Sequence, residues 1–274
     1  MRLQVLGTAA GGGVPQWNCA CPGCSGARAH PSWRRRHAGL AVQIAARVVV
    51  VNATPDIAAQ LEDCPWLEPD RAGAPPVVLT DAELDHTLGL LRMREAAELE
   101  VAATPAVRHA LGPLEEILRP YAPIRWHDLA GFAEPIPVSG KRPRYAAEGG
   151  PEDAGWVSAL RFTDGTAGLV YAPAMGVWSP ELDAAFAAAD CVIVDGTFWD
   201  DEEPRRTGIS SKTATGMGHL PIEATMERLA ALPGRRLYTH LNNTNPLVDP
   251  GAEHHKVLAE LGIEVAADGM VIEL

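Results

Sequence analysis

The stretch Leu79–Gly89, "LTDAELDHTLG", decides how the chain is read. It follows the short apolar run "PPVV", which reads as a strand, and it precedes "TLGLLRMREA", which has a helical period. A strand ending in a tight turn can project alternate side chains toward one point. Asp81 and Glu83 would then share a face, and Asp85 with His86 would begin the next turn. Taken alone, this is either a solvated acidic turn with Asp85 as a helix cap, or a metal-binding turn in which some ligands have been exchanged.

Other strand ends carry the same kind of residue. "YTHLNNTNP" puts His240 at the end of an apolar strand, in a segment dense with Asn. "GMGHLP" puts His219 in a glycine loop before a helix, and "VIVDGTFW" ends a buried strand with Asp195. One such residue is readily structural, but a set gathered at strand ends is the pattern of a site in a layered α/β protein.

A separate cluster, "NCACPGC", packs Cys19, Cys21 and Cys24 into one short loop. A C-x-C-x-x-C loop folds back on itself and can offer three thiolates to a tetrahedral zinc, the alternative being buried free thiols. His30 and His37 are the nearest histidines for a fourth ligand. Three thiolates and a fourth protein ligand leave no open position, so this zinc would be structural. Cys64 and Cys191 stand alone and read as packing, and His109, His127, His254 and His255 read as surface or packing. Trp17 and Trp199 stand beside the motifs, where they could line a pocket or fill core.

The bulk properties narrow the function. The chain has 274 residues, 47% hydrophobic and 21% charged, with a formal net charge of −12. An acidic chain is a poor partner for nucleic acid or an anionic membrane. The basic run "RRRH", Arg34–His37, is short and reads as a solvated face or an anion contact. The N-terminal apolar run is too short for a signal peptide, and no stretch reaches the roughly 20 apolar residues of a membrane helix. A cytoplasmic protein is expected.

Strands are expected at "RLQVLGT", in a hairpin across "AGLAVQIAARVVVVNA", and at "WVSALRFTD", "AGLVYAPA", "CVIVDGTFW" and "RRLYTHLNN". Helices are expected at "TPDIAAQLED", "PAVRHAL", "SPELDAAFAAAD", "LPIEATMERLAAL" and "AEHHKVLAELG". Residues 131–153, rich in Pro, Gly and charge, read as strand edges and loops, and "IEVAADGMVIEL" reads as a closing hairpin turned at Asp268-Gly269. With no linker evident, residues 1–274 are expected to form a single α/β domain.

The motifs, in their order along the chain, resemble a known family. "LGTAAGGGVPQWNCACPGC", "TDAELDHTLGLL", "GHLP", "YTHLNNTNP" and the closing "ADGM" look like the pyrroloquinoline quinone biosynthesis protein B family, of the metallo-β-lactamase fold. The resemblance runs from end to end. It implies an αββα sandwich, with the site where strand ends meet.

Hydrolases of that fold usually carry H-x-H-x-D-H in the turn quoted above. Here Asp81 and Glu83 occupy the first two positions, while the Asp-His pair survives as Asp85 and His86. His240 matches the superfamily histidine that completes the second metal position. The usual bridging aspartate has no match, since "LVYAPAMG" offers Ala172 and Pro173. The implied active-site ligands are therefore Asp85, His86 and His240, a set that suits non-haem Fe(II). The resemblance further implies an Fe(II)- and O2-dependent hydroxylase acting on a tyrosine-derived intermediate from a cross-linked Glu-Tyr pair. Asp81, Glu83, His219 and Asp195 would surround that substrate as hydrogen-bonding or proton-moving groups. An alternative is a carrier of the quinone or its precursor toward the periplasm.

The cysteine loop also resembles that of cyclic-phosphate phosphodiesterases, whose fourth zinc ligand is a histidine three residues after the His240 equivalent. Here that position is Asn243, which is preferred to His30 as the fourth ligand, and hydrolysis of a phosphodiester is a third reading. The implied partners are a small tyrosine-derived substrate and O2, without nucleic acid or membrane. Self-association is left open.

Overall fold

Alternating apolar residues bury both faces of most strands, and this demands a layer on each side. The computed structural model describes residues 1–70, 73–152 and 155–274. The first sheet contains β1 (Arg2–Gly7), β2 (Gly39–Ile44), β3 (Arg47–Val51), β4 (Val77–Val78), β5 (Leu99–Ala103) and β6 (Ile124–Asp128). The second contains β7 (Glu134–Ser139), β8 (Val157–Thr163), β9 (Gly168–Ala172), β10 (Cys191–Asp195), β11 (Arg235–Thr239) and β12 (Glu264–Val265). A last strand, β13 (Val271–Glu273), returns to the first sheet, whose order is β13-β1-β2-β3-β4-β5-β6, and the second runs β12-β11-β10-β9-β8-β7.

The two-residue period sorts the core into three layers. Leu40, Val42, Val49 and Val51 face Phe162, Tyr171 and Ile193 between the sheets. Their neighbours Ala41 and Val50 turn outward, against a layer that includes Val107 and Leu114 of the helical stretch 105–118. On the other side Val192 and Val194 meet Leu182, Phe186 and Leu229. Each fully buried Val or Leu stabilises the fold by roughly 1.5–3 kcal/mol. The result is the αββα sandwich that the motifs implied.

Parallel pairing sets the site. β3 to β6 are parallel neighbours, as are β9 to β12, so their C-terminal ends align at one edge of each sheet. Asp195 of β10 pairs in register with Thr239 of β11, and a bridge between Asp81 and Val157 joins the two sheets at that edge. Among the described residues, no helix is long and apolar enough to cross a membrane.

Two expectations need correction. The closing segment is not a hairpin, because Glu264-Val265 pairs with β11 while Val271–Glu273 pairs with β1. The turn between them crosses from one sheet to the other, held where Asp268 accepts from the Thr8 hydroxyl and the Arg36 backbone. "TLGLLRMREA" is not one helix either; it splits into Leu84–Thr87 and Gly89–Arg92. Residues 131–153, read as strand edges and loops, contain the edge strand β7, and residue 153 lies outside the described residues.

The split has a cause in Gly89. Its amide donates to Ala53 O at 2.8 Å, and the Ala53 amide donates to His86 O at 2.8 Å. A Cβ on Gly89 would come 2.2 Å from Thr54 O. Gly89→Ala should therefore push the turn off its support and cost about 1–3 kcal/mol of stability. The urea midpoint should fall accordingly; an unchanged midpoint would show that the helix can ride outward freely.

Candidate metal centre

The backbone at the sheet edge aims several side chains at one point. β4 runs into Thr80 and Asp81, and the short helix Leu84–Thr87 then presents Asp85 and His86. Glu83, not Asp85, stands at its N-cap. His240 follows β11 with a φ of +60°, a conformation that non-glycine residues rarely adopt. Its neighbour Leu241 exchanges backbone hydrogen bonds with Thr8 and Ala10, which pins the glycine-rich N-terminal loop beside it. Gly11 of that loop lies close over the Asp85 carboxylate; a Cβ there would sit 3.6 Å from it.

Three donor atoms converge. Asp85 Oδ2 lies 3.3 Å from His240 Nε2 and 3.7 Å from His86 Nε2. Two donors, each about 2.1 Å from a shared metal, stand about 3–4 Å apart, so this spacing fits. The opposite ring nitrogens are already engaged. His86 Nδ1 donates to Asp81 Oδ2 at 2.7 Å. The Thr197 hydroxyl donates to Asp195 Oδ1 at 2.6 Å and so accepts from His240 Nδ1 at 2.8 Å. Both histidines thus keep an Nε2 lone pair for a metal. His86 Nε2 is buried with no hydrogen-bond partner among the described residues, as expected for an atom that would bind a cation.

The electrostatics agree. Burial opposes charge on His86, but Asp81 and Asp85 outweigh it and raise its pKa to about 9. Burial would likewise favour the neutral acid at Asp85, yet His86 and then His240 hold it well below the usual carboxylate range. Burial keeps His240 neutral, lowering its pKa. The pocket therefore favours a positive charge at its centre, which a proton or a metal ion can supply.

Asp195, His219 and His240 form a second close group. Its atoms meet across the Thr197 hydroxyl and are hydrogen-bonded among themselves, so it is a scaffold rather than a cage. Asp195 accepts from Met175 N, Thr197 N, the Thr197 hydroxyl and His219 Nδ1. His219 and His240 stack with ring centroids 5.7 Å apart. A cavity of about 230 Å³ opens above, and His219, Asp81 and Glu83 are among the residues that line it. Asp81 is spent on His86, Thr80 and the Glu83 amide, while Glu83 pairs with Lys141 at 3.3 Å.

The cysteine loop folds as a unit beside this site. Cys21 caps the helix Pro22–Ala29, and the Cys19, Cys21 and Cys24 sulfurs all lie within 4.8 Å of one another. Arg28 clamps the loop through Cys19 O and Gln16 O. Burial, with Cys21 and Cys19 alongside, pushes the Cys24 thiol up to about 12, so three thiolates need a cation among them. The Asn243 amide lies 3.3 Å from Cys19 Sγ and 3.4 Å from Cys21 Sγ. His30 instead stacks on Trp33, and His37 bonds Asp56.

The chain as a whole is similar to known proteins. Residues 47–240 match the Beta-lactamase superfamily domain. The coenzyme PQQ synthesis protein B of Cupriavidus necator is 40% identical over 302 residues, with 99% of each chain covered. The chain belongs to the coenzyme PQQ synthesis protein B family. The Zn(2+)-bound member of this family from Methylobacterium extorquens superposes with a TM-score of 0.87 at 30% identity, over all of both chains. A diphosphatase of the PhnP family shares the fold, with a TM-score of 0.71 at 19% identity, covering 100% of this chain and 97% of its own.

Sequence reasoning passed over Thr197 and Lys141. Thr197 could have been found from its place two residues after Asp195. Lys141 lay in a stretch read as loop. In the "RRRH" run Arg34 donates to Ala27 O, Arg36 pairs with Asp63, His37 with Asp56, and the half-buried Arg35 faces Asp268. Trp17 is exposed, and Trp199 is buried on Glu223.

Two predictions follow from these bonds. Thr197→Val removes the hydroxyl that orients His240 and should weaken Mn2+ binding about 10- to 100-fold. Mn2+ avoids thiolate ligands, so its titration by electron paramagnetic resonance reads this centre alone. Unchanged affinity would show that the hydroxyl does not set the ring. The second concerns Glu203, which accepts from Trp199 N and the Thr244 hydroxyl, and whose pKa burial raises from 4.5 to about 7. A raised native pKa means the folded state holds the proton more tightly. Its stabilising contribution is full below pH 4.5 and is lost as pH rises through about 7. Relative to Glu203→Gln, the wild type should lose about 3 kcal/mol across that window in denaturant melts.

Proposed function

We propose that the chain is a non-haem Fe(II)- and O2-dependent hydroxylase in PQQ biosynthesis. Its substrate is a tyrosine-derived intermediate from a cross-linked Glu-Tyr pair. One observation carries this reading: two imidazole nitrogens and one carboxylate converge at a cavity floor with their second nitrogens already engaged. That donor set suits Fe(II) with open positions toward substrate. Asp85, His86 and His240 would hold the iron, which would supply activation of O2.

The chain's own residues do the rest. Asp81 orients His86, and Asp195 orients His219 and, through Thr197, His240. His219 keeps its second ring nitrogen for a proton at the substrate. Glu83 meets polar groups of the substrate at the cavity wall. A two-metal hydrolase needs histidine-type ligands at the positions of Asp81 and Glu83; here Asp81 is spent on His86 and Glu83 sits at the cavity wall beside Lys141, which favours oxygenation over hydrolysis. Cys19, Cys21, Cys24 and Asn243 would hold a structural zinc, with the Asn243 amide turned to offer its oxygen. Such an enzyme would work in the cytoplasm.

The test is metal content after anaerobic reconstitution with Fe(II), followed by O2 uptake with substrate and ascorbate, which supplies the two electrons that reduce the second oxygen atom to water. Wild type is expected to carry zinc and iron together, and His86→Ala to lose the iron alone. Cys21→Ser should lose the zinc and melt at a lower temperature, because metal binding contributes to folding. O2 uptake retained in His86→Ala would sink the iron assignment. Zinc without iron in the wild type would bring the carrier reading forward.

A further inference from the structure

The cavity above the metal centre is lined by acids. Asp81, Glu83 and Asp85 all face it, and Lys141 is the one lysine or arginine among its described lining residues. A carboxylate of a ligand whose reacting ring faces the metal position would have that side-chain cation to meet.

Lys141 is placed by a glycine far along the chain. Its stem lies against Gly218, where a built Cβ would meet Lys141 Cδ at 2.9 Å. Gly218 has a φ of +90° and directly precedes His219. From there the ammonium reaches Glu83 Oε1 at 3.3 Å, so the lysine spans the cavity from the His219 loop to the Leu79–Gly89 turn.

The Lys141–Glu83 pair is open to exchange. Its side chains are 40% and 33% exposed, and an ion pair in reach of water contributes at most about 1 kcal/mol. The other acids are not free. Asp81 is held by His86, and Asp85 lies between the two histidines. Apart from the metal position, the two side-chain charges left for a ligand are therefore one cation and one anion, side by side. Phe198 and Met217 add an apolar wall. At about 230 Å³ the cavity is smaller than the roughly 300–1,000 Å³ of most ligand pockets, which suits one amino-acid unit.

We propose that Lys141 is a specificity-determining residue that takes a carboxylate of the substrate, releasing Glu83 to face the neighbouring ammonium. The site then selects α-amino acids over amines that lack the carboxylate. This deepens the hydroxylase reading and rests on it for the site's occupant.

The test uses binding, not turnover. The zinc-loaded protein is titrated anaerobically by calorimetry with 3,4-dihydroxyphenylalanine and with dopamine, which differ in the carboxylate alone. Zinc is redox-inert, so a failure of the oxygenase reading would show in O2 uptake and leave this result untouched. Wild type and Lys141→Arg should bind the amino acid about tenfold more tightly than the amine. Lys141→Met keeps a stem against Gly218 and should abolish the preference, weakening the amino acid while the unpaired Glu83 still receives the amine of dopamine. Equal affinities in the wild type, or a preference that survives in Lys141→Met, would overturn the proposal. An equal loss of both probes in Lys141→Met would also overturn it, because the lysine would then only shape the cavity.

Discussion

Two imidazole rings bring their Nε2 atoms, with the Asp85 carboxylate, to one position because each ring is gripped by its other nitrogen. His86 is held by Asp81, and His240 by the Thr197 hydroxyl, which is itself anchored on Asp195. A buried carboxylate costs several kcal/mol unless donors surround it. Both supporting acids meet that demand. Asp195 takes four hydrogen bonds, two from backbone amides. Asp81 takes the Glu83 amide, the Thr80 hydroxyl and His86. The ring orientations are thus fixed by charge-assisted bonds before any ligand arrives, and the strand ends serve to bring those acids to one edge.

The parts of the fold that were legible in the sequence are those decided locally. The alternation of Val49, Val50 and Val51 specifies a strand with two buried faces, and Asp85-His86 and His240 mark its working edge. The closing segment was misread because both of its strands alternate in the same way and Asp268-Gly269 looks like a hairpin turn. What separates them is long-range: Asp268 is hydrogen-bonded to Thr8 and to the Arg36 backbone, which belong to the first sheet's end of the molecule. The roles within the site were hidden for the same reason. Asp81 and Glu83 look equivalent two residues apart. Only the packing turns one onto His86 and the other onto Lys141, whose own position depends on Gly218.

The density of Asn after His240 has a physical account. Asn242 donates to the Thr244 hydroxyl, and Thr244 to Glu203. Asn243 reaches the Cys19 and Cys21 sulfurs, and Asn245 donates to Gly196 O while capping Leu247. Asn245 satisfies two buried backbone groups, Gly196 O and Leu247 N, each of which would cost about 1–3 kcal/mol if left unpaired.

This web bears on His240 directly. A non-glycine residue at a φ of +60° carries on the order of 1 kcal/mol of strain and persists only where its surroundings over-determine it. Leu241 is tied to the glycine-rich loop, and Asn243, three residues on, is tied to the cysteines. The cysteine loop therefore does more than close a surface. By holding Asn243 it fixes the far end of the turn whose near end aims His240. The two candidate metal centres are coupled through a single turn of backbone. Loosening the sulfur cluster should relax the strained histidine first, ahead of any global loss of the sandwich, because the interlocked core between the sheets does not pass through that turn.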